Sequence, residues 1–279
     1  MKNINFIPGT SLRMSRLFND RTERSVCVAM DHGFGGAHPG MENPGETLDQ
    51  IIAGQPDGVL ITPGIARNFQ DRFSGQHAPA MILSIDYVLF HGYPGSKLTV
   101  EEQGIVSSVE TAVKLGADAI KVLMIFGRED PGMQARNFDT VGRFIDESHN
   151  WGLPVMVEPT TWGKRFDDSS KKDKLVLRDM ARIAFEFGAD IVKCDYPTQP
   201  EDFVEVAGSC PVPVLVLGGT KKENVEELLQ EVLVLVQKGA SGVTFGRNVW
   251  QHPNPPGFIR ALRHVVHDQD IELAMKELA

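Results

Sequence analysis

Two segments of the chain, "GADAIKVLM" (116–124) and "GADIVKCDY" (188–196), share one pattern, and each carries one lysine in an otherwise apolar run. The glycine is typical of a helix end, and the apolar run that follows the turn is typical of a buried strand. A third segment, "KGASGVTF" (238–245), repeats the helix end, the turn and the strand start. The repetition predicts serial helix and strand units with parallel strands.

Outward from these segments, short apolar runs alternate with amphipathic stretches along the whole chain. The runs are nearly continuous in Val, Ile, Leu and Met, as expected of strands covered on both faces. We predict eight strands, at 25–31, 58–62, 79–86, 119–126, 154–159, 190–195, 213–219 and 242–246. The predicted helices lie at 47–54, 99–116, 138–152, 174–188, 224–239 and 256–268.

This order of elements predicts an α/β protein with a single (β/α)8 TIM barrel. No linker or low-complexity segment divides the 279 residues, a length that suits one such barrel. We expect a leading N-terminal arm at 1–24 and the barrel with its C-terminal helix at 25–279. An open doubly wound sheet is the alternative. It is disfavoured because the first strand ends in "DHGFGGAHPG" (31–40), which lacks the order of a dinucleotide-binding loop.

Composition limits the classes of partner. The net charge of −9 argues against a general nucleic-acid binder, which needs basic patches. No apolar stretch approaches the ~20 residues of a membrane span. Three cysteines, Cys27, Cys194 and Cys210, form no disulfide framework and fit a reducing compartment. The N-terminus lacks the apolar run of a signal peptide, so we expect a cytoplasmic protein.

The strand ends carry the candidate catalytic residues, because active sites of such barrels lie at the carboxyl ends of the strands. Polar residues in or at the ends of the predicted strands are Asp31, His32, Asp86, Lys121, Glu158 and Lys193. Side chains alternate along a strand, so Lys121 and Lys193 are expected to be neighbours inside the barrel, with Glu158 between them.

Two lysines so placed predict nucleophilic chemistry. Desolvation and a second ammonium both lower a lysine pKa, and a neutral amine attacks a carbonyl to form a Schiff base. Glu158 is the candidate general acid or base. Asp31, at the carboxyl end of the first predicted strand, is a second candidate for the proton transfer. The alternatives are a structural ion pair of a lysine with Glu158 or Asp31, or a lysine that reaches solvent.

Glycines end the last two predicted strands, in "LGGT" (217–220) and "GRN" (246–248). Barrels often bind phosphate there through backbone N–H groups, which predicts a phosphate site at Gly218, Gly219, Gly246 and Arg247. A tight turn is the alternative role of the glycines. His32 and His38 are weak metal candidates, because no acidic partner recurs at a fixed offset, and we predict no metal. Tyr87 and Tyr93 are predicted to be packing or lid residues.

Four segments together resemble the class I aldolase superfamily, in its branch of archaeal-type fructose-bisphosphate aldolases and autoinducer-2 phosphate thiolases. They are "MDHG" (30–33), "GADIVKCDYP" (188–197), "CPVPVLVLGGTK" (210–221) and "GASGVTFGRNVWQ" (239–251), and the resemblance extends from about 11 to 267. It implies a barrel, a Schiff-base lysine at Lys193, a substrate-facing carboxylate at Asp31, phosphate at the glycines named above, neither metal nor cofactor, and a homo-oligomer, often a decamer.

One position departs from that branch. Where archaeal-type aldolases have a proton-transferring tyrosine, this sequence has Thr160, in "TTWG" (160–163). Glu158 and Lys121 instead resemble the glutamate and lysine of tagatose-bisphosphate-type aldolases. The departure argues against fructose 1,6-bisphosphate as the substrate. The expected function is a metal-independent class I aldolase that cleaves or forms a C–C bond in a phosphorylated ketose or related sugar through a lysine Schiff base. The alternatives are a thiolase-like acyl transfer from a phosphorylated dione to coenzyme A, and a non-catalytic sugar-phosphate-binding barrel. His32 is predicted to bind the substrate, together with the four residues of the phosphate site.

Overall fold

Eight parallel strands close into a barrel in the computed structural model, which describes residues 8–88 and 103–279. Around the barrel the strands follow chain order, and the last pairs with the first. They are β1 (Ser25–Ala29), β2 (Gly58–Ile61), β3 (Ala80–Ser84), β6 (Ala119–Ile125), β7 (Val155–Thr160), β8 (Ile191–Cys194), β9 (Val214–Leu217) and β10 (Gly242–Phe245). The predicted (β/α)8 barrel is confirmed, and the open-sheet alternative is wrong.

Helices alternate with these strands along the chain. They are α1 (Pro8–Leu17), α2 (Pro44–Ala53), α3 (Pro63–Asn68), α4 (Val109–Lys114), α5 (Pro131–Asn150), α6 (Lys174–Glu186), α7 (Phe203–Ser209), α8 (Val225–Gln237), α9 (Arg247–Trp250), α10 (Pro255–Arg263) and α11 (Ile271–Lys276). Short 3-10 turns lie at Asp31–Gly35, Gln70–Phe73 and Pro200–Asp202, and a π turn at His264–Asp268. No helix in the described ranges is long and apolar enough to cross a bilayer.

A small antiparallel sheet interrupts the βα order between β3 and β6. Strands β4 (Asp86–Val88) and β5 (Gln103–Ile105) pair there, with Asp86 opposite Ile105. The predicted helix at 99–116 is wrong over 103–105, and the helix in this region is confined to α4; residues 99–102 lie outside the described ranges. A tertiary contact favours the strand over the helix here, because the Gln103 side chain donates a hydrogen bond to the carboxylate of Asp86.

The amino-terminal end of the barrel is closed by helix α1. Its residues Met14 and Leu17, with Phe18 just beyond, are almost fully buried against the inward side chains of the strands. Those inward side chains are Cys27, Ala29, Leu60, Ala80, Ile82, Ala119, Met156, Ile191 and Leu215. The ion pair between Arg16 and Asp118, at 2.9 Å, fastens the helix to the start of β6. The barrel therefore has an apolar floor, and its polar residues lie at the other end.

A partly buried carboxylate, Asp57, whose side chain is 13% exposed, ties the C-terminal helices to the same end of the barrel. Its Oδ2 accepts from the Val26 amide at 2.7 Å and lies 3.0 Å from His267 Nε2, while Oδ1 accepts from Arg263 at 2.7 Å. Burial alone would raise the pKa of Asp57, but His267 and Arg263 outweigh burial and lower it. The charged form of Asp57 thus stabilises the fold.

We expect Asp57→Asn to lower the free energy of unfolding by about 3 kcal/mol at pH 7, because a buried charge network loses its centre. The folded pKa is depressed, so this contribution is present above the unfolded pKa of about 3.9 and is lost as the pH falls through that value and below. Urea unfolding at pH 7 and at pH 3 checks both points. The more exposed Asp268→Asn is the control and should cost less than about 1 kcal/mol. A difference between Asp57→Asn and the parent that does not shrink at pH 3 would contradict this account.

Candidate active site

A cavity of about 740 Å³ opens at the carboxyl ends of the barrel strands. The structure brings together on its wall every residue for which the sequence predicts a catalytic or binding role. These are Asp31, His32, Lys121, Glu158, Lys193, Gly218, Gly219, Gly246 and Arg247. Their proximity is a finding of the structure, whereas their roles stay predictions.

Lys193 lies inside the barrel because side chains alternate along β8. Ile191 packs into the floor below it, while Val192 and Cys194 point outward among the helices. The ammonium of Lys193 donates to Glu158 Oε2 at 3.0 Å, and the lysine side chain is 7% exposed. The amine is thus desolvated, paired with a carboxylate and open to the cavity.

Lys121, on β6, lies among three carboxylates. Its Nζ is 3.3 Å from Asp31 Oδ2, 3.3 Å from Glu158 Oε2 and 3.8 Å from Asp86 Oδ1. Burial alone would lower the pKa of Lys121, but these carboxylates outweigh burial and raise it well above its usual range. Lys121 therefore stays charged at neutral pH and forms the kind of ion pair that the sequence analysis gives as an alternative. Since Lys193 also contacts Glu158 Oε2, that single oxygen lies between two ammonium groups.

The two aspartates beside Lys121 differ in their titration. Burial raises the pKa of both, but for Asp31 the charges of Lys121 and Lys193 outweigh it and hold the pKa well below its usual range. Asp86 is fully buried, and burial keeps its pKa raised. Its Oδ2 accepts from the Leu123 amide at 2.6 Å and from Gln103 Nε2 at 2.5 Å. The sequence analysis names Asp86 among the strand-end candidates but assigns it no catalytic or binding role.

The loop after β9 is held by a side chain that the sequence prediction missed. Asn248 donates to the carbonyls of Gly218 at 2.8 Å and Thr220 at 3.2 Å, and accepts from the Lys222 amide at 2.8 Å. A Cβ at Gly218 would fall 2.9 Å from the Phe245 ring. Asn248 directly follows Gly246 and Arg247, which the sequence assigns to the phosphate site. Its position in "GRN" (246–248) was the sequence signal that could have indicated its role.

Arg247, at the start of α9, faces the cavity beside this loop. Its Nε is buried and has no hydrogen-bond partner among the described residues. Desolvation lowers its pKa, although a guanidinium stays charged at neutral pH. An unpaired, partly desolvated cation beside a glycine turn has the chemistry of an anion site.

His32 lies between Asp31 and the β10 end. Its Nδ1 is 3.7 Å from Asp31 Oδ1 without a hydrogen bond, and burial lowers the pKa of the ring. The ring packs against Trp250 at 5.4 Å between centroids. A Cβ at Gly246 would fall 2.7 Å from His32 Cε1, so the glycine permits this packing. In the described ranges, no three His, Cys, Asp or Glu side chains group as metal ligands would.

Further residues that line the cavity are Thr160, Tyr87 and Tyr196. Thr160, where the resemblance has a tyrosine, lines the cavity two residues beyond Glu158, and its buried hydroxyl has no partner among the described residues. Tyr196, which the sequence analysis did not single out, donates to Glu231 at 2.9 Å. Tyr87 lines the cavity from β4, and Tyr93 lies outside the described residues.

Fold and site together define a barrel enzyme with a buried lysine and carboxylate pair at the strand ends. Residues 25–252 match the family described as DeoC/LacD family aldolase, and the chain belongs to it. It is 33% identical over 275 residues to an uncharacterised aldolase of Saccharolobus solfataricus, which covers 97% of this chain and 99% of that protein. The family is therefore established, while the reaction of this member is a separate question.

Two relatives with named reactions lie further away. A 2-amino-3,7-dideoxy-D-threo-hept-6-ulosonate synthase of Archaeoglobus fulgidus is 30% identical, over 94% of this chain and 92% of its own. A 3-hydroxy-5-phosphonooxypentane-2,4-dione thiolase of Yersinia pestis is 27% identical, over 97% of this chain and 86% of its own.

A solved structure shares the architecture of the barrel. It is an archaeal fructose-1,6-bisphosphate aldolase with its catalytic lysine covalently bound to the carbinolamine intermediate of the substrate. Its TM-score is 0.75 at 28% identity, and the match covers 92% of this chain and 99% of that one.

Proposed function

We propose that this protein is a metal-independent class I aldolase that joins or cleaves a C–C bond in a phosphorylated ketose or related sugar through a Schiff base on Lys193. The observation that supports the proposal best is the pair of Lys193 and Glu158, 3.0 Å apart on the wall of an open cavity. Membership of the aldolase family adds to it.

The first step is the formation of the Schiff base. Glu158 accepts a proton from the Lys193 ammonium, and the amine nitrogen then bonds to the ketone carbon of the substrate. One proton passes from the attacking nitrogen to the former carbonyl oxygen, Glu158 returns the proton it took to the same oxygen, and that oxygen leaves as water while a protonated imine remains. Ammonium and ketone thus become iminium and water, with no net change in protons.

The second step is cleavage of the bond beyond the imine. A carboxylate accepts the proton of the substrate hydroxyl, an aldehyde leaves, and the bond electrons move into the imine to give an enamine. We take Glu158 as this carboxylate, and the ammonium of Lys121 lies 3.3 Å from its Oε2. Protonation of the enamine carbon and hydrolysis then return the ketone and Lys193.

Trapping with borohydride tests the proposal. The protein is incubated with dihydroxyacetone phosphate and other ketose phosphates, reduced, and mapped by mass spectrometry. We expect an irreversible adduct on Lys193 and none in Lys193→Met. The absence of an adduct for every ketone, with ligand binding unchanged in Lys193→Met, would support the non-catalytic sugar-phosphate barrel instead.

A thiolase-like acyl transfer is the second candidate. The relative from Yersinia pestis and the threonine at 160 favour it, because an acyl transfer does not need the tyrosine that archaeal-type aldolases use. Turnover of a phosphorylated dione that requires coenzyme A would establish this activity. Turnover without coenzyme A supports the aldolase.

The loop held by Asn248 gives a separate prediction. Asn248→Ala removes three hydrogen bonds from the segment between Gly218 and Lys222, so its backbone N–H groups no longer point in fixed directions. We expect KM for a phosphorylated substrate to rise about tenfold with little change in kcat, since the lost interaction acts on binding. Steady-state kinetics check this. A loss confined to kcat would contradict the assignment of this loop to phosphate.

A further inference from the structure

The charges on the cavity wall show how many anions it can neutralise. Its described lysines and arginines are Lys121, Lys172, Lys193, Lys222 and Arg247. All except Arg247 have a carboxylate partner in the protein. Lys121 and Lys193 share Glu158, Lys172 lies 3.4 Å from Asp195 Oδ1, and Lys222 pairs with Glu231.

Arg247 is different, since no described carboxylate lies within ion-pair distance of it, and its Nε is buried without a partner. Recruiting any of the lysines to a second anion would separate it from its carboxylate. That separation is costly for Lys121 and Lys193, which are almost fully buried, whereas Lys172 and Lys222 are 42% and 35% exposed and their pairs are weaker. Among the described residues of the wall, Arg247 is therefore the one lysine or arginine without a carboxylate partner.

The opposite side of the cavity is apolar. We name the side chains of Phe34, Tyr87, Val88 and Leu123 the aromatic wall, and all four line the cavity. The rings of Phe34 and Tyr87 lie 5.9 Å apart, and Val88 and Leu123 are almost fully buried in one apolar cluster.

The aromatic wall is held by its own sheet. The backbone of Gly104, paired with Tyr87 across β4 and β5, lies under the Tyr87 ring, and a Cβ at 104 would fall 2.3 Å from it. The ring is thus fixed over the glycine. Such a surface favours uncharged groups, since a phosphate against it would lose its hydration without gaining a partner.

We infer that this cavity takes a ligand with one anionic group, bound at Arg247, whose other end is uncharged and lies against the aromatic wall. The inference rests on the proposed function, in that it takes this cavity as the substrate site. It defines the substrate class as a monophosphorylated ketose or related compound in preference to a bisphosphate.

Simple phosphates without a carbonyl test the inference independently of Schiff-base chemistry. The probes are methyl phosphate, hexyl phosphate and hexane-1,6-diol bisphosphate, titrated into the full chain by calorimetry. We expect hexyl phosphate to bind about tenfold more tightly than methyl phosphate, because its chain covers the aromatic wall. We expect the bisphosphate to bind about tenfold more weakly than hexyl phosphate.

Variants locate the two ends of the ligand. Arg247→Met should weaken the binding of hexyl phosphate about thirtyfold. Phe34→Ala should weaken it about fivefold, and should have no comparable effect on the binding of methyl phosphate. Lys172→Met is the matched control, because its charge is already paired, and should change neither by more than about twofold.

Each outcome decides the inference. A bisphosphate that binds as tightly as hexyl phosphate, above all if Lys172→Met abolishes the gain, overturns it in favour of a second anion site. Equal binding of methyl and hexyl phosphate, or binding of neither, overturns it as well. Borohydride trapping on Lys193 is unaffected by these results, so the proposed function can stand when this inference fails.

Discussion

Lys193→Met should reduce kcat by about 10⁴-fold or more, because the covalent intermediate loses the amine on which it forms. The fold should persist, since methionine fills a similar volume and Glu158 keeps Lys121 at 3.3 Å as its partner. Steady-state turnover of the trapped ketose phosphate, with circular dichroism of the same sample, measures both.

Lys193→Arg is the matched variant for this result. It keeps a cation near Glu158 but offers no nucleophilic amine, so we expect it to be as inactive as Lys193→Met. Activity above about 1% of the parent in Lys193→Arg would show that position 193 acts through its charge alone. The Schiff-base proposal would then be wrong, even with the fold and the family unchanged.

Glu158→Gln should lower kcat by about 10³-fold, the second largest effect we expect. The amide keeps the shape of the side chain but cannot take the proton of Lys193 or of the substrate hydroxyl. Borohydride trapping should still reach Lys193, more slowly, because the amine remains in place. Single-turnover kinetics separate the two steps.

Glu158→Asp tests whether the carboxylate itself is what matters at this position. It restores a base one methylene further from Lys193 and should recover part of the lost rate. If Glu158→Gln keeps the parent rate while Asp31→Asn does not, then Asp31 moves the proton and Glu158 is a counter-ion. Asp31 is 3.3 Å from Lys121, which makes it the competing candidate.

The barrel was predictable because its signals are local. The glycines before β6 and β8, Gly116 and Gly188, both have positive φ, at 79° and 102°, as helix ends require. The small sheet of β4 and β5 was not predictable in this way. Residues 103–105 have no strong strand pattern, and they form a strand through their long-range pairing with 86–88.

The candidate site could be predicted as a group of residues but not in its electrostatics. Alternation along the strands correctly brings Lys121, Glu158 and Lys193 together. The direction of the Lys121 pKa depends on a sum over neighbours from three different strand ends. Asp86 is one of these neighbours, and its distance from Lys121 follows only from the closed barrel.

The apolar floor formed by helix α1 has a consequence for the order of events. With Met14, Leu17 and Phe18 packed under the strands, the described chain leaves Lys193 approachable from one direction only. In the proposed mechanism, the water that hydrolyses the imine would then arrive by the route through which the aldehyde departs. A single opening would therefore impose an ordered release of products. The aldehyde would leave first, and the ketone, which is still bound covalently to Lys193, would leave last.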